Sequence, residues 1–206
     1  YAGLASVCVV TLMLILARVI TKYRNRVTGG LEMLLQIPWF LPSTLIALGM
    51  VMTFDKPSIL TGGLTLTGTV YIMLIGYIIV KLPYTLRMIK AAYLGLDGSL
   101  EEAAKNLGAS TAKTYVKVIF PIIWPTILSV FLLNFIGQLG EYNMSVFLFH
   151  PLYQPLGVVL NAATSPDSSP EAQMLSFVYS VIIMIVATTV ITFVYKRKNA
   201  ALKKQR

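Results

Sequence analysis

Five long apolar segments constrain this chain more than any other feature of its sequence. Each is roughly 20 residues long, the length that an α-helix needs to cross the hydrocarbon core of a bilayer. They cover residues 2–20, 31–53, 67–86, 118–138 and 173–195. Charged side chains make up only 12% of the chain, whereas a soluble domain has about 25%. Because none of the segments alternates polar and apolar residues as barrel strands do, we expect an all-α membrane protein, a polytopic helical bundle with five transmembrane helices.

The basic residues fall in alternate loops, and this pattern predicts the orientation of the spans. Lys and Arg cluster after the first span, between the third and fourth, and after the fifth, while the loop between the second and third has only Lys56. Because basic loops stay in the cytoplasm, we expect a multi-pass plasma-membrane protein with Tyr1 outside and a cytoplasmic C-terminus. Lys81, late in the third span, is expected to extend toward the basic interface. The outside start and the missing initiator Met favour a chain that lacks an earlier part.

The net charge of +9 is accounted for by these loops. Aromatic residues do not interleave with the basic ones as stacking platforms for bases would. We therefore expect membrane lipid, and no nucleic acid, around this chain.

A polar, Ala-rich stretch, SLEEAAKNLGAS at residues 99–110, interrupts the largest basic loop. Ser99 and Glu102 have the S-x-x-E spacing of a capping box, in which Ser99 caps the helix and Glu102 bonds back to the Ser99 amide. Gly108 fits the left-handed position that ends a helix, and the Ser and Thr that follow at 110 and 111 are candidates to begin the next one. Apolar residues fall on one face at helical spacing. Since so short a helix is unstable alone, the pattern predicts a partner for it outside the membrane.

The sequence EAAKNLGASTAKTYVKVIFP, residues 102–121, resembles the EAA loop of binding-protein-dependent ABC transporter permeases. The pattern of that family is E-A-A, three residues, G, nine residues, and I-x-L-P. This chain keeps every spacing, with Val118 in place of Ile and Phe120 in place of Leu. The resemblance implies a permease domain over residues 1–206, with a coupling loop at about 87–117. The five spans would be the second to sixth of a six-span type I importer permease, and the part before them is one span or a fused permease half.

The resemblance also implies partners and a mechanism. In such permeases the loop forms a coupling helix in a groove of a cytoplasmic ATP-binding subunit, and an extracytoplasmic substrate-binding protein delivers the cargo. A second permease half, identical or different, completes the transporter. The residues that the resemblance places in ATPase coupling are Glu102, Ala103, Ala104, Leu107, Gly108 and Pro121, with Ser99 as the helix cap. We expect Glu102 to serve both the cap and the docking contact.

No catalytic pattern competes with this interpretation. The chain has no P-loop, so we expect no enzyme activity in it and ATP hydrolysis in a partner subunit. Metal-ligand spacings are missing, and we expect no metal and no cofactor. Two polar residues are candidates for the translocation path. Glu141 follows the fourth span and faces either the path or solvent, while Asn134 within that span lines the path or, as we favour, bonds a neighbouring helix.

The cargo follows less directly from the sequence. The stretches FIGQLGEYNMSVFLF and PLGVVLN give the chain a general resemblance to permeases of the ferric-iron type, which implies iron transport. Importers of the same class for polyamines, phosphonates, thiamine or oxyanions are alternatives. A secondary transporter or channel is a more distant alternative, because it predicts intramembrane charged pairs or an internal repeat, and neither is evident.

Overall fold

The computed structural model describes residues 1–57 and 61–204, and the regular elements in these ranges are helical. The α-helices are α1 (Ala2–Lys22), α2 (Arg26–Gln36), α3 (Ser43–Phe54), α4 (Val70–Leu94), α5 (Ser99–Asn106), α6 (Thr111–Thr114), α7 (Phe120–Leu139), α8 (Ser145–Leu148), α9 (Leu156–Ala163) and α10 (Pro170–Lys204). A 3₁₀ turn, Ile37–Phe40, follows α2, and a π-helical turn, Tyr115–Ile119, joins α6 to α7. The expected all-α class is confirmed.

Among the described residues, four helices are long and apolar enough to cross a membrane, and they match the first, third, fourth and fifth predicted spans. They are Ala2–Lys22, Val70–Leu94, Thr111–Leu139 and Pro170–Val194. The third was predicted to end at residue 86, but its helix continues to Leu94.

The second predicted span is not a single straight helix. Residues 31–53 fall in two segments, Arg26–Phe40 and Ser43–Phe54, that bend by 105° at their junction. Pro38 stands at the start of the 3₁₀ turn, and Pro42 precedes α3 with extended backbone (φ −58°, ψ 140°). A proline has no amide N–H and disfavours a helical residue before it, so one helix does not run through both. The pair is a broken span or a re-entrant loop, which gives the described chain four or five spans.

The core of the bundle lies where α1, α4 and α7 pack together. Met13, Leu86 and Ile123 are fully buried there, one from each helix. In lipid, helices associate through close van der Waals contact, and small residues permit it. Gly76 of α4 is such a residue, since a Cβ at this position would lie 2.8 Å from Met144 Sδ. The loop around α8 therefore packs directly onto the backbone of α4.

The last helix, α10, contributes little to this core. Its most apolar window contains no buried residue, and Phe177, Met184 and Ile185 are more than half exposed. An apolar surface of this size suits lipid or another subunit.

The bundle has two ends that carry different elements. The C-termini of α1 and α4, the N-terminus of α7 and the hairpin of α5 and α6 lie together at one end, called the basic end because Lys22, Lys90 and Lys113 are there. The short helices α8 and α9 lie at the other, called the opposite end. This arrangement separates the hairpin from the α8–α9 region by the length of the bundle.

Candidate functional site

Helix α5 begins differently from the capping box predicted from its sequence. Ser99 is the first helical residue, and Gly98 before it already has helical backbone angles (φ −59°, ψ −27°). The Ser99 backbone N–H donates to Asp97 Oδ1 at 2.9 Å, as Asp often does two residues on. This bond, together with a second to the Ser99 side chain, lowers the pKa of Asp97. The predicted capping roles of Ser99 and Glu102 are therefore wrong, since Asp97 accepts the free amide and the Glu102 side chain is exposed.

The turn after α5 has the geometry that the sequence predicts. Gly108 adopts a left-handed conformation (φ +77°). Its N–H donates to the Lys105 carbonyl at 2.9 Å, and the Ala109 N–H donates to the Ala104 carbonyl at 3.0 Å. These two bonds form a Schellman motif. Ser110 then caps α6, because its hydroxyl accepts the backbone N–H three residues on at 3.3 Å.

Most residues predicted to couple to an ATPase lie on the surface of the hairpin. Those exposed are Glu102, Ala103, Leu107 and Gly108, while Ala104 is half-buried. No residue of α5 is buried, and the Leu107 side chain is 88% exposed. Pro121 lies outside the hairpin, in the first turn of α7. The hairpin thus presents small and apolar side chains to solvent at the basic end, as a docking surface does.

Glu101, which sequence reasoning did not single out, ties the hairpin to the bundle. Its carboxylate forms an ion pair with Arg18 of α1. The Arg18 guanidinium also lies 5.6 Å from the ring centroid of Tyr93 on α4. Tyr93 donates its hydroxyl to the Leu14 carbonyl at 3.2 Å and accepts from the Tyr115 hydroxyl at 2.8 Å. Through Arg18 and Tyr93, Glu101 therefore connects α5 to α1, α4 and the π-helical turn. In the sequence, the one indication of this ion pair was an Arg near the end of an apolar span.

A cavity of about 300 Å³ lies between the hairpin and the bundle. Its charged lining consists of Arg18, Lys22, Asp97 and Glu101. The ion pair between Arg18 and Glu101 thus lies in the wall of this cavity, between the hairpin and the bundle.

A polar seam runs along the contact between α4 and α7. Asn134 is completely buried, and its Nδ2 donates to Thr85 Oγ1 at 2.8 Å. The prediction that Asn134 bonds a neighbouring helix is thereby confirmed. Farther along, Gln138 Nε2 donates to the Tyr77 carbonyl at 3.4 Å. The buried position of Asn134 between two helices places it in the packing of the bundle and not at its surface.

Glu141 serves the fold of the loop that follows α7. Its carboxylate accepts the backbone N–H groups of Met144 and Ser145 at 2.9 and 3.0 Å, and the Ser145 hydroxyl at 2.8 Å. It therefore caps α8 from the preceding loop. Gly157 of α9 packs against the same segment, since a Cβ there would lie 2.5 Å from the Glu141 carbonyl oxygen. Glu141 remains a candidate for the translocation path, but both of its carboxylate oxygens accept hydrogen bonds from the loop that follows it.

Lys81 lies near the middle of α4. Its place late in the predicted span had suggested a position closer to the basic end. Because α4 extends from Val70 to Leu94, Lys81 is about 17 Å from one end of the helix and about 20 Å from the other, at 1.5 Å per residue. Its ammonium lies over the backbone of Gly137 on α7, where a Cβ would be 2.9 Å from Nζ.

No group of three or more His, Cys, Asp or Glu that could hold a metal ion occurs among the described residues. His150, at the opposite end, accepts the Leu152 backbone N–H through Nδ1 at 3.1 Å and packs against the Tyr153 ring.

Comparison with known protein families gives one match that covers nearly the whole chain. Residues 10–204 match the family described as binding-protein-dependent transport system inner membrane component. A probable ABC transporter permease of Sinorhizobium fredii is 34% identical over 84% of this chain and 30% of its own length. A probable sulfate transport system permease of Prototheca wickerhamii is 30% identical over 63% of this chain and 53% of its own length. The chain therefore spans about half or less of these relatives.

More distant relatives carry names for other cargoes. A ferric transport system permease of Actinobacillus pleuropneumoniae is 28% identical over 72% of this chain and 21% of its own length. Relatives at 22% and 26% identity are named for 2-aminoethylphosphonate and for spermidine and putrescine.

Among solved structures, the MetNI methionine ABC transporter in an inward-facing conformation has the same fold. The TM-score is 0.71 at 14% identity, over 97% of this chain and 89% of that one. A bacterial alginate ABC transporter in complex with a periplasmic protein gives a TM-score of 0.68 at 17% identity, over 93% of this chain and 70% of that one.

Proposed function

Because the chain belongs to the family of binding-protein-dependent transport system inner membrane components, we propose that it is the permease subunit of an ATP-driven ABC importer. In this proposal it forms one side of the translocation path, and a second copy or a second permease half forms the other. A separate ATP-binding subunit hydrolyses ATP at the basic end, which faces the cytoplasm. A substrate-binding protein delivers the cargo at the opposite end.

The hairpin of α5 and α6 is the observation that carries this proposal. It is a rigid unit, because Asp97 holds its start and the Schellman motif at Gly108 fixes its turn. Its outer residues, Glu102, Ala103 and Leu107, have no burying partner within the described chain. A short helix with an exposed leucine and small neighbours fits into a groove of another protein. We propose that this groove belongs to the ATP-binding subunit.

The ion pair between Glu101 and Arg18 gives the hairpin a connection to the membrane helices. When the ATP-binding subunits close, a movement of α5 is passed to α1 through this pair and to α4 through the short loop 95–98. Coupling of this kind needs a physical link between a docking element and the spans.

We also propose that the cargo of this importer is ferric iron. Names among the relatives cover ferric iron, sulfate, a phosphonate and polyamines, and the general resemblance of residues 135–149 and 155–161 supports a ferric-iron cargo. In that case iron crosses as a complex, because no group of metal ligands lies among the described residues.

A pair of leucine substitutions tests the docking site. Leu107 on the hairpin and Leu152 at the opposite end are 88% and 81% exposed, so neither Leu107→Glu nor Leu152→Glu disturbs the core. We expect Leu107→Glu to abolish co-purification of the ATP-binding subunit with the complete permease, and ATP-driven uptake with it. Leu152→Glu should retain the ATP-binding subunit.

Retention of the ATP-binding subunit by Leu107→Glu at the wild-type ratio would refute docking on this face. Uptake of cargo by the permease in vesicles without any ATP-binding subunit would instead favour a channel or secondary transporter.

A further inference from the structure

Lys81 is the charged side chain farthest from either helix end within the described spans. The other Lys, Arg, Asp and Glu residues of these spans lie closer to a terminus, where they reach water. A charge at mid-depth is costly in lipid and in most membrane proteins marks a polar pathway. Lys81 therefore needs an explanation that the fold alone does not supply.

The ammonium of Lys81 makes no direct contact with an acid among the described residues. In the part of the chain that the structure describes, it forms no hydrogen bond and no ion pair within 4.0 Å. Glu141 lies close enough to attract this ammonium, but its oxygens already accept hydrogen bonds from Met144 and Ser145. The positive charge at this level is thus offset by Glu141 only at a distance, without a direct ion pair.

The ammonium also lies beside an exposed position of the bundle. Gly137, over which Nζ is placed, is exposed, and Lys81 itself is only partly buried. The absent side chain at Gly137 is what leaves room for the ammonium, because any Cβ would be within 2.9 Å of it. A charge at mid-depth on an outer face is incompatible with contact to lipid tails. This face of α4 and α7 must therefore meet water or another polar surface.

We propose that Lys81 lines the translocation path and binds the cargo, and that the cargo crosses at this point as an anion. This inference rests on the proposed importer function and narrows its substrate to molecules with negatively charged oxygen atoms. An oxyanion, a phosphonate or an anionic ferric chelate meets this condition. A polyamine does not, because its ammonium groups would be repelled by Lys81, while the oxygens of Glu141 are already engaged with Met144 and Ser145.

Two buried amide oxygens, Asn134 Oδ1 and Gln138 Oε1, flank Gly137 on α7 and lack donors among the described residues. They attract an ammonium and repel an anion. A Lys81 that acts only in packing would turn to these oxygens and would take no part in transport. A Lys81 that binds cargo is needed for uptake even where the protein remains folded.

The test uses the complete permease, assembled with its ATP-binding subunit and binding protein in proteoliposomes. Labelled sulfate, 2-aminoethylphosphonate, ferric citrate and spermidine are offered in separate arms. We expect ATP-driven uptake of one of the three anions and none of spermidine. Lys81→Met should reduce that uptake by about tenfold or more, whereas Lys81→Arg, which keeps the charge, should retain most of it. Lys56→Met, at an exposed lysine of the opposite end, is the matched control and should behave as the wild type.

A second measurement remains informative if Lys81→Met does not assemble. Lys81→Cys is made in a background where Cys8 and any other cysteine are replaced, and the complex is treated with a sulfonate-bearing methanethiosulfonate reagent. Labelling at position 81 by this anionic reagent supports the proposal.

Uptake of spermidine by the wild type, wild-type anion uptake by Lys81→Met, or an unreactive Cys at position 81 would each overturn the proposal. Failure of the importer function itself would look different, since the wild-type permease would then neither retain an ATP-binding subunit nor accumulate any of the four compounds.

Discussion

Arg18 of α1 forms an ion pair with Glu101 of α5, although 83 positions separate them in the chain. Both side chains are about a quarter exposed or less, so water and salt screen the pair only in part. The pair joins an apolar membrane helix to a hairpin whose own helix has no buried residue. It is the direct link between α1 and the hairpin that the proposed coupling requires.

We predict that Glu101→Gln uncouples the hairpin from the bundle without preventing docking. Loss of the pair should lower cargo-stimulated ATP hydrolysis several-fold, while the ATP-binding subunit still co-purifies, because the exposed docking residues are unchanged. The charge-reversed double variant, Arg18→Glu with Glu101→Arg, should recover part of the stimulation if the pair is the relevant interaction.

Glu102→Gln provides the comparison for this prediction, since Glu102 is exposed and takes no part in the ion pair of Arg18 with Glu101. It should weaken retention of the ATP-binding subunit and leave Arg18 paired. Identical effects of Glu101→Gln and Glu102→Gln on both measurements would argue against separate roles for the two acids.

The turn at Gly108 gives a second prediction, with a matched glycine ten residues earlier. Gly108 has φ +77° and Gly98 has φ −59°, and neither has an atom within 4 Å of its Cβ position. Gly108→Ala should therefore strain the turn by about 1 kcal/mol through its backbone alone, whereas Gly98→Ala should be tolerated. ATP-driven uptake should fall for Gly108→Ala and remain normal for Gly98→Ala, with equal amounts of protein in the membrane. Equal uptake by both variants would mean that the left-handed turn is not required for coupling.

The sequence predicted those features that depend on local pattern. Hydropathy over about 20 residues identifies a span whatever its neighbours are, and a glycine after a short helix indicates a left-handed turn because other residues rarely adopt it. The 105° bend in the second apolar segment had a local signal in Pro38 and Pro42. The size of the bend could not be predicted, because apolar residues continue across the break.

Features that depend on the tertiary structure were not predictable in this way. The capping box at Ser99 was a sound local expectation, but Asp97 reaches the same amide from a different position. The sequence does not distinguish Glu101 from its neighbour Glu102. The packing of α5 against α1 brings Glu101 into an ion pair with Arg18. Glu141 was expected in the path or in solvent, and its three bonds to the following loop could not be read from spacing.

Packing of α4 against α8 leads to a third prediction, on stability. At Gly76 a Cβ would lie 2.8 Å from Met144 Sδ and 2.9 Å from Leu148 Cδ1, whereas at Gly49 of α3 it would meet nothing within 4 Å. Both positions are helical, so Ala gains the same propensity at each. Gly76→Ala should be less stable than Gly49→Ala by about 1–3 kcal/mol, because extra volume in a packed contact forces its neighbours to move. Thermal unfolding of the purified permease measures this difference, and equal melting temperatures would mean that Met144 and Leu148 rearrange at no cost.

The last prediction distinguishes two roles of Glu141, stabilising the loop after α7 and contacting the cargo in the translocation path. Glu141→Ala removes the acceptor for two backbone N–H groups, those of Met144 and Ser145, and for the Ser145 hydroxyl. Buried donors without acceptors cost about 1–3 kcal/mol each, so this variant should melt at a clearly lower temperature. Asp167→Ala, at an exposed acid of the same end, should not. Complexes of Glu141→Ala that remain folded should bind and transport cargo with an unchanged KM, because the carboxylate is directed at its own loop. An altered KM with an unchanged melting temperature would instead place Glu141 in contact with the cargo.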